Sequence, residues 1–265
     1  MKPRVLARIA AVAAAALVLA GCSADAGAGD STVIKVAAAT TPMTDIVRAA
    51  GEAIGDGYTI ELVEVADYVQ PNVMLEAGEI DANFIQHVPF MEEFNTANGA
   101  SLVGVQPVYL TMVSFYSKTL TSIDQLPQNG TVTLPQDRPN TGRALEMLKE
   151  AGIISLDPAV EKYQATLDDV TDNPRNLQFN QVELLQLNAA YEESDAVFNL
   201  PAFARQIGLD PFAEGLTLEE DPQFAVTLVT RADNQDSPEV AALKTAFTSE
   251  QVKAVVEEFG MHTAF

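Results

Sequence analysis

The chain has 265 residues, 48% of them hydrophobic, with 37 acidic side chains against 15 basic ones. That apolar fraction is ample for a packed core and excludes intrinsic disorder, and the length allows one large or two modest domains. So large an excess of acid repels nucleic acid and anionic lipid headgroups, which excludes both as partners.

In chain order the first element is a leader. Lys2, Arg4 and Arg8 precede an apolar run from Ile9 to Leu19, and small residues follow. The run is too short and wrongly flanked for a lasting membrane span, so residues 1–21 read as a secretory signal. Leu19-Ala20-Gly21-Cys22 resembles the bacterial lipobox, which implies lipidation at Cys22 and a protein held on the extracytoplasmic face of the cell membrane. Cys22 is the sole cysteine, which excludes an intramolecular disulfide and a cysteine-based metal site. Residues 22–32 are small, polar and glycine-containing, as a flexible tether requires. No later stretch of about eighteen apolar residues offers a second span. Cleavage removes three basic residues and leaves a formal charge of 12 − 37 = −25, spread along the chain as a solubilising surface.

Beyond the tether, β-rich and helix-patterned stretches alternate. Val33 to Ala38 predicts a strand, and Pro42 opens a helix with Ile46, Val47 and Ala50 on one face. Tyr58 to Val65 predicts a second strand, Pro71 sits in the first turn of a helix ending at Gly78, and Ile80 to Ile85 predicts a third strand. Pro89 opens the next helix, with Phe90, Met91 and Phe94 inward and Asn98-Gly99 at its end. Thr131 to Leu134 repeats the strand pattern, TGRALEMLKEAG the helix, and Leu177 to Phe179 and Ala196 to Phe198 add strands. The alternation predicts an α/β fold of two units of about a hundred residues, with mainly parallel sheets covered by helices. Ligands of such sheets bind outside the carboxyl ends of the strands, and two units facing each other there make a cleft.

Catalytic and metal motifs are missing from this chain. It has no G-x-S-x-G, Walker A, GxGxxG or HExxH pattern. Its two histidines, His87 and His262, lack a ligand-like partner two to four residues further along the chain. The paired acids Asp168-Asp169 and Glu192-Glu193 are adjacent and point apart, as on a solvated face. Nothing argues for a glycosidase-type acid pair. The expectation is a binder with no catalytic residue, no metal and no cofactor.

ADYVQPNVMLEAGEIDANFIQHVPFMEEFN, residues 66–95, closely resembles the signature of the NlpA-type methionine-binding lipoprotein family, the substrate-capture component of methionine ABC importers. YSKTLTSIDQLPQNGTVTLPQDRPNTGRALEMLKEAGII, DAVFNLPAFARQIGLDP and SEQVKAVVEEF are similar to further segments of that family, in the same order. The resemblance implies a two-lobed, periplasmic-binding-protein-like fold, with residues 33–112 and 226–265 in one lobe and 113–225 in the other. It implies capture of methionine, or a related small amino acid or peptide, and delivery to an ABC permease driven by ATPase subunits.

Free methionine needs an apolar slot for its thioether, a cation for its carboxylate and acceptors for its ammonium. Tyr68, Phe84, His87 and Phe90 resemble the family's side-chain slot, and aromatic rings suit sulfur, at about 0.3–1.5 kcal/mol per contact. Asn140 and Arg143 stand at a helix start, where free N–H groups and the dipole favour an anion and a guanidinium can grip a carboxylate; the resemblance gives Arg143 that role. Asn199 matches a family asparagine at the ligand's amino-acid end. Each residue has a plainer reading: His87 as a structural histidine, Phe84 and Phe90 as core, Arg143 as a surface residue beside a cap. Two departures bear on the polar end. Leu200-Pro201 follows Asn199 where small polar residues are usual, and counting back from Gly208 puts Leu200 on the asparagine position. The segment DPQFAVTLVTR, residues 221–231, lacks an asparagine the family often carries. The readings left open are a different apolar amino acid or a short peptide in the same fold, and a surface lipoprotein without a transport role.

Overall fold

A computed structural model describes residues 31–265, which form one unit; the signal and Cys22 lie outside the described residues. The chain first alternates β1 (Thr32–Ala38), α1 (Met43–Ala53), β2 (Tyr58–Glu64), α2 (Gln70–Glu76), β3 (Ala82–His87), α3 (Val88–Asn98) and β4 (Leu102–Tyr109). A second stretch holds β5 (Ser114–Tyr116), β6 (Thr131–Pro135), α4 (Arg138–Glu150), β7 (Ser155–Leu156), β8 (Val170–Asp172), β9 (Gln178–Val182), α5 (Leu187–Ala190), β10 (Ala196–Asn199), α6 (Pro201–Gln206) and α7 (Pro211–Glu214). The chain then returns through β11 (Val226–Arg231), α8 (Pro238–Phe247) and α9 (Glu250–Glu258). None of the described helices is long and apolar enough to cross a membrane.

Local chemistry sets the helices that matter for function. α1 buries Met43, Ile46, Val47 and Ala50 at helical spacing. α3 carries proline in its first turn, takes its N-cap from the His87 side chain, and stops at Gly99, whose φ of 65° is left-handed. α4 is capped by Asp137, whose carboxylate accepts the Asn140 N–H at 3.0 Å.

Two sheets result. The first has the order β2-β1-β3-β11-β4 and the second β5-β10-β6-β9. The strands run parallel, as the sequence pattern predicts, except that β11 opposes β3 and β4, and β5 opposes β10. Those two strands, with β4, β7 and β8, are the ones the pattern does not announce. One apolar cluster, including Ile34, Val36, Ile46, Phe84, Leu228 and Phe247, backs the first sheet; another, including Val132, Leu134, Leu145, Leu148 and Phe198, backs the second. Val197 and Phe203 join the first cluster from the second sheet's side, so apolar packing runs across the pair.

The chain crosses between the sheets after β4 and again before β11. The two crossing strands pair, with Val113 and Glu219 exchanging backbone hydrogen bonds of 2.9 and 3.1 Å. The C-terminal tail braces the first crossing, where the Leu110 N–H donates to the His262 carbonyl at 2.8 Å. These crossings lie at the same end of the molecule as the start of α4.

α4 owes its position to a close approach. A Cβ on Gly142 would lie 2.0 Å from the Tyr163 carbonyl oxygen, and Tyr163 itself adopts a left-handed φ of 67°. Helix propensity alone favours alanine over glycine by about 1 kcal/mol, but overlap with backbone outweighs it. Gly142→Ala is therefore expected to lower the free energy of unfolding by about 1–3 kcal/mol or more, read from urea denaturation. A variant more stable than the parent would contradict this packing.

Candidate functional site

The carboxyl ends of β3, β4, β6, β9 and β10 and the amino end of β11 converge on one cavity, where the strand topology places a ligand site. Its cavity volume is about 50 Å³, a narrow space between the two sides. The first sheet contributes Ile85, Gln86 and His87 from β3, Phe90 from α3, Tyr109 from β4 and Val226 from β11. Met43 and Met261 add soft apolar surface on that side, and Tyr68 enters from the loop after β2. The facing side supplies Asn140 from α4, Leu184 after β9, and Leu200-Pro201-Ala202 after β10. Thr111, on the first crossing strand, lies at the back.

His87 fixes the geometry between the two sides. Its Nδ1 accepts the Phe90 N–H at 3.2 Å, so the ring proton sits on Nε2, which donates to Asn140 Oδ1 at 3.3 Å. Burial, reinforced by the nearby Arg143 charge, pulls its pKa down to about 3, so the ring is neutral at physiological pH. It packs edge-on to Phe90 and Phe224, with centroids 6.2 and 5.0 Å away. Tyr68 is 8% exposed and packs edge-on to Phe203 at 5.6 Å; burial raises its pKa, so the phenol stays protonated.

Among the described residues, none that lines the cavity carries a formal charge. Most of the polar groups there are already spent. The Gln86 amide is tied to Asn72 and Asn83 by bonds of 2.9 Å. Asn140 gives its Oδ1 to His87 and donates Nδ2 to Asp137 Oδ1 at 2.8 Å. The Tyr68 hydroxyl and Thr111 Oγ1 are closed to solvent and have no partner. A buried polar atom left unpaired costs about 1–3 kcal/mol, so each of these two has a bond still to make.

Arg143 lies behind this wall. It is fully buried, donates Nε to Glu219 Oε2 and donates Nη2 to the Thr111 carbonyl at 2.6 Å. Its guanidinium carbon lies 4.2 Å above the centre of the Phe224 ring. Nη1 is closed to solvent and unpaired. One side chain on α4 thus holds both crossing strands, through Thr111 and Glu219, and keeps one donor free.

Of the residues the sequence points to, Tyr68, His87, Phe90 and Asn140 line the cavity, while Phe84, Arg143 and Asn199 do not. Phe84, expected in the slot, belongs to the core, edge-on to Tyr109 at 5.9 Å and to Phe247 at 5.1 Å. β3 is irregular beside it: Thr227 and Val229 of β11, two residues apart, pair with Gln86 and Asn83 of β3, three apart, so simple alternation of faces does not hold along this strand. Asn199 donates to Asn188 at 2.8 Å and accepts the Leu200 N–H at 2.9 Å, so its amide is occupied and Leu200 faces the cavity in its place. Sequence reasoning missed Glu219 and Phe224, which follow no spacing rule; a partner for a buried arginine was the one signal to search for. Among the described residues, no group of three His, Cys, Asp or Glu is placed to hold a metal.

The model of the family described as NlpA lipoprotein matches residues 34–264. The chain belongs to the NlpA lipoprotein family. It is similar to the methionine-binding lipoprotein MetQ of Bacillus subtilis, with 35% identity over 91% of this chain and 90% of that protein. It is 34% identical to the D-methionine-binding lipoprotein MetQ of Escherichia coli over 89% of this chain and 88% of that one. Among solved structures, a nutrient-binding protein from Burkholderia cenocepacia bound to methionine superposes with a TM-score of 0.84 at 29% identity, covering 88% of this chain and all of the other. The fold, mainly parallel sheets flanked by helices, is shared with these solved NlpA-family relatives.

The neutral state of His87 has a consequence for stability. Its folded pKa is depressed, from 6.5 to about 3, so the unfolded chain takes up its proton first as pH falls. The stability it contributes is complete above about pH 6.5 and is lost toward pH 3. The difference in unfolding free energy between the protein and His87→Gln is expected to shrink through that window, by about 1.4 kcal/mol per pH unit in its lower part. A difference independent of pH would contradict a buried neutral ring.

Proposed function

We propose that this chain is a lipid-anchored substrate-binding protein of an ABC importer, capturing methionine or a related small amino acid or peptide outside the cytoplasm. The supporting observation is the cavity itself. Its rings and methionines suit a thioether, its walls carry no charge, and one unpaired guanidinium nitrogen stands behind Thr111. In this reading Tyr68, His87 and Phe90 form the side-chain slot, with Phe84 backing it through Tyr109. Asn140 and Arg143 serve the carboxylate, and Asn199 supports the polar end only through the backbone of Leu200.

The lobes are residues 33–112 with 226–265, and 113–225, joined by the crossings at Val113 and Glu219. The protein holds its ligand without catalysing a reaction, and it needs no metal or cofactor. A ligand that binds better between closed lobes than open ones drives closure by that difference in affinity, and the closed form presents both lobes to the permease and its ATPase subunits. Cys22, lipidated, keeps the protein at the membrane. Leu200 and Val226 on the wall favour a second reading, an apolar amino acid other than methionine.

Protein unfolded and refolded to strip ligand is expected to give heat on titration with L- or D-methionine, and Arg143→Ala to weaken that binding more than about tenfold through loss of a charge-assisted contact. No heat with either enantiomer, with methionyl dipeptides or with other apolar amino acids would overturn the reading.

A further inference from the structure

The reading above gives the ligand's carboxylate a partner and leaves its ammonium without one, because no acidic residue lines the cavity. An ammonium taken out of water needs an acceptor, and a charged one above all. Acceptors occur next door. A side cleft shares Tyr68, Phe90 and Leu184 with the cavity and adds Asp67, Asp137 and Glu183. Asp67 and Glu183 are exposed, and Asp67 Oδ1 already accepts the Val69 and Gln70 N–H groups.

Asp137 is different. Its Oδ1 caps α4 and also takes the Asn140 side chain at 2.8 Å, while its Oδ2 is closed to solvent and has no partner. Tyr68, which lines both spaces, carries the second unpaired group at their junction, its hydroxyl. Asp137 and Arg143 sit within two turns of each other on one helix, and each keeps one charged atom buried and unpaired.

Resting on the importer reading, we infer that Asp137 is the partner of the ligand's ammonium, so that the start of α4 grips both charges of a zwitterion, Asp137 Oδ2 at one and Arg143 Nη1 at the other. The Tyr68 hydroxyl bridges the two as an uncharged donor and acceptor. This replaces amide recognition from the strand ends, where Leu200 and Val226 offer only apolar surface. The electrostatics agree. Burial pushes the Asp137 carboxyl up to about 6, with the Glu93 charge adding to the rise against the pull of the Asn140 hydrogen bonds; an ammonium beside it supplies the missing countercharge.

The test is Asp137→Asn, which keeps a good N-cap and removes only the charge. Ligand-stripped protein and variant are titrated with methionine and with N-acetylmethionine, which has the same tail and carboxylate but no ammonium; thermal unfolding verifies the fold. The expected result is a loss of at least about tenfold for methionine, with N-acetylmethionine binding within about twofold of the parent protein. Equal losses for both probes, or none for methionine, would overturn the assignment of Asp137 and leave the importer reading intact. If neither probe binds the parent protein, both are overturned.

Discussion

A guanidinium with no exposure to water organises this molecule. Arg143 meets a carboxylate from one crossing strand, a carbonyl from the other and the face of Phe224. Burying such an ion is expensive, and the effective penalty is several kcal/mol per charge unless geometry and hydrogen bonds offset it. The offset requires Thr111 and Glu219 to stay where they are. Because Glu219 pairs with Val113 and Thr111 lies two residues before that bridge, the arginine ties α4 to both crossings between the sheets.

The same arrangement keeps charge off the cavity walls. The groups that could have competed for a ligand are tied up among themselves: Gln86 with Asn72 and Asn83, and His87 with Asn140 and the Phe90 N–H. What stays open is apolar surface, with the unpaired hydroxyls of Tyr68 and Thr111 on its walls. An apolar tail gains by leaving water, at about 25 cal/mol per Å², while the few unpaired polar atoms set orientation. Recognition of this kind depends on what the folded chain leaves unsatisfied, more than on the number of polar residues nearby.

Much of this was legible in the residues. Proline at helix starts, Gly99 at a helix end and the apolar spacing of α1 marked most elements of the first sheet. Asn140, read as the cap of the next helix, instead lies three residues inside it, because Asp137 is the cap of α4. β4, β5 and β11 escaped because their pairing is decided by distant parts of the chain, and β11 opposes its neighbours in a sheet otherwise parallel. β7 and β8 escaped because they are only two and three residues long. Phe84 shows the limit of pattern reading in another way. A strand of six buried residues has no exposed face to betray its register, so the packing of Phe84 on Phe247 of α8 leaves no mark in the sequence. The Arg143–Glu219 pair, 76 residues apart, is likewise a product of the crossing strands, and the unpaired oxygen of Asp137 becomes visible only once its cap and side-chain bonds have been assigned.

The central claim is that this cavity takes the tail of a methionine-type amino acid while the start of α4 holds its polar end. The most direct measurement is a crystal structure of the ligand-stripped protein soaked with free selenomethionine, read by anomalous scattering. The account predicts a selenium peak between the His87 and Phe90 rings, with the ligand's carboxylate and ammonium turned toward Arg143 and Asp137. An empty cavity, or a selenium atom seated elsewhere with the ring-lined slot unfilled, would contradict it.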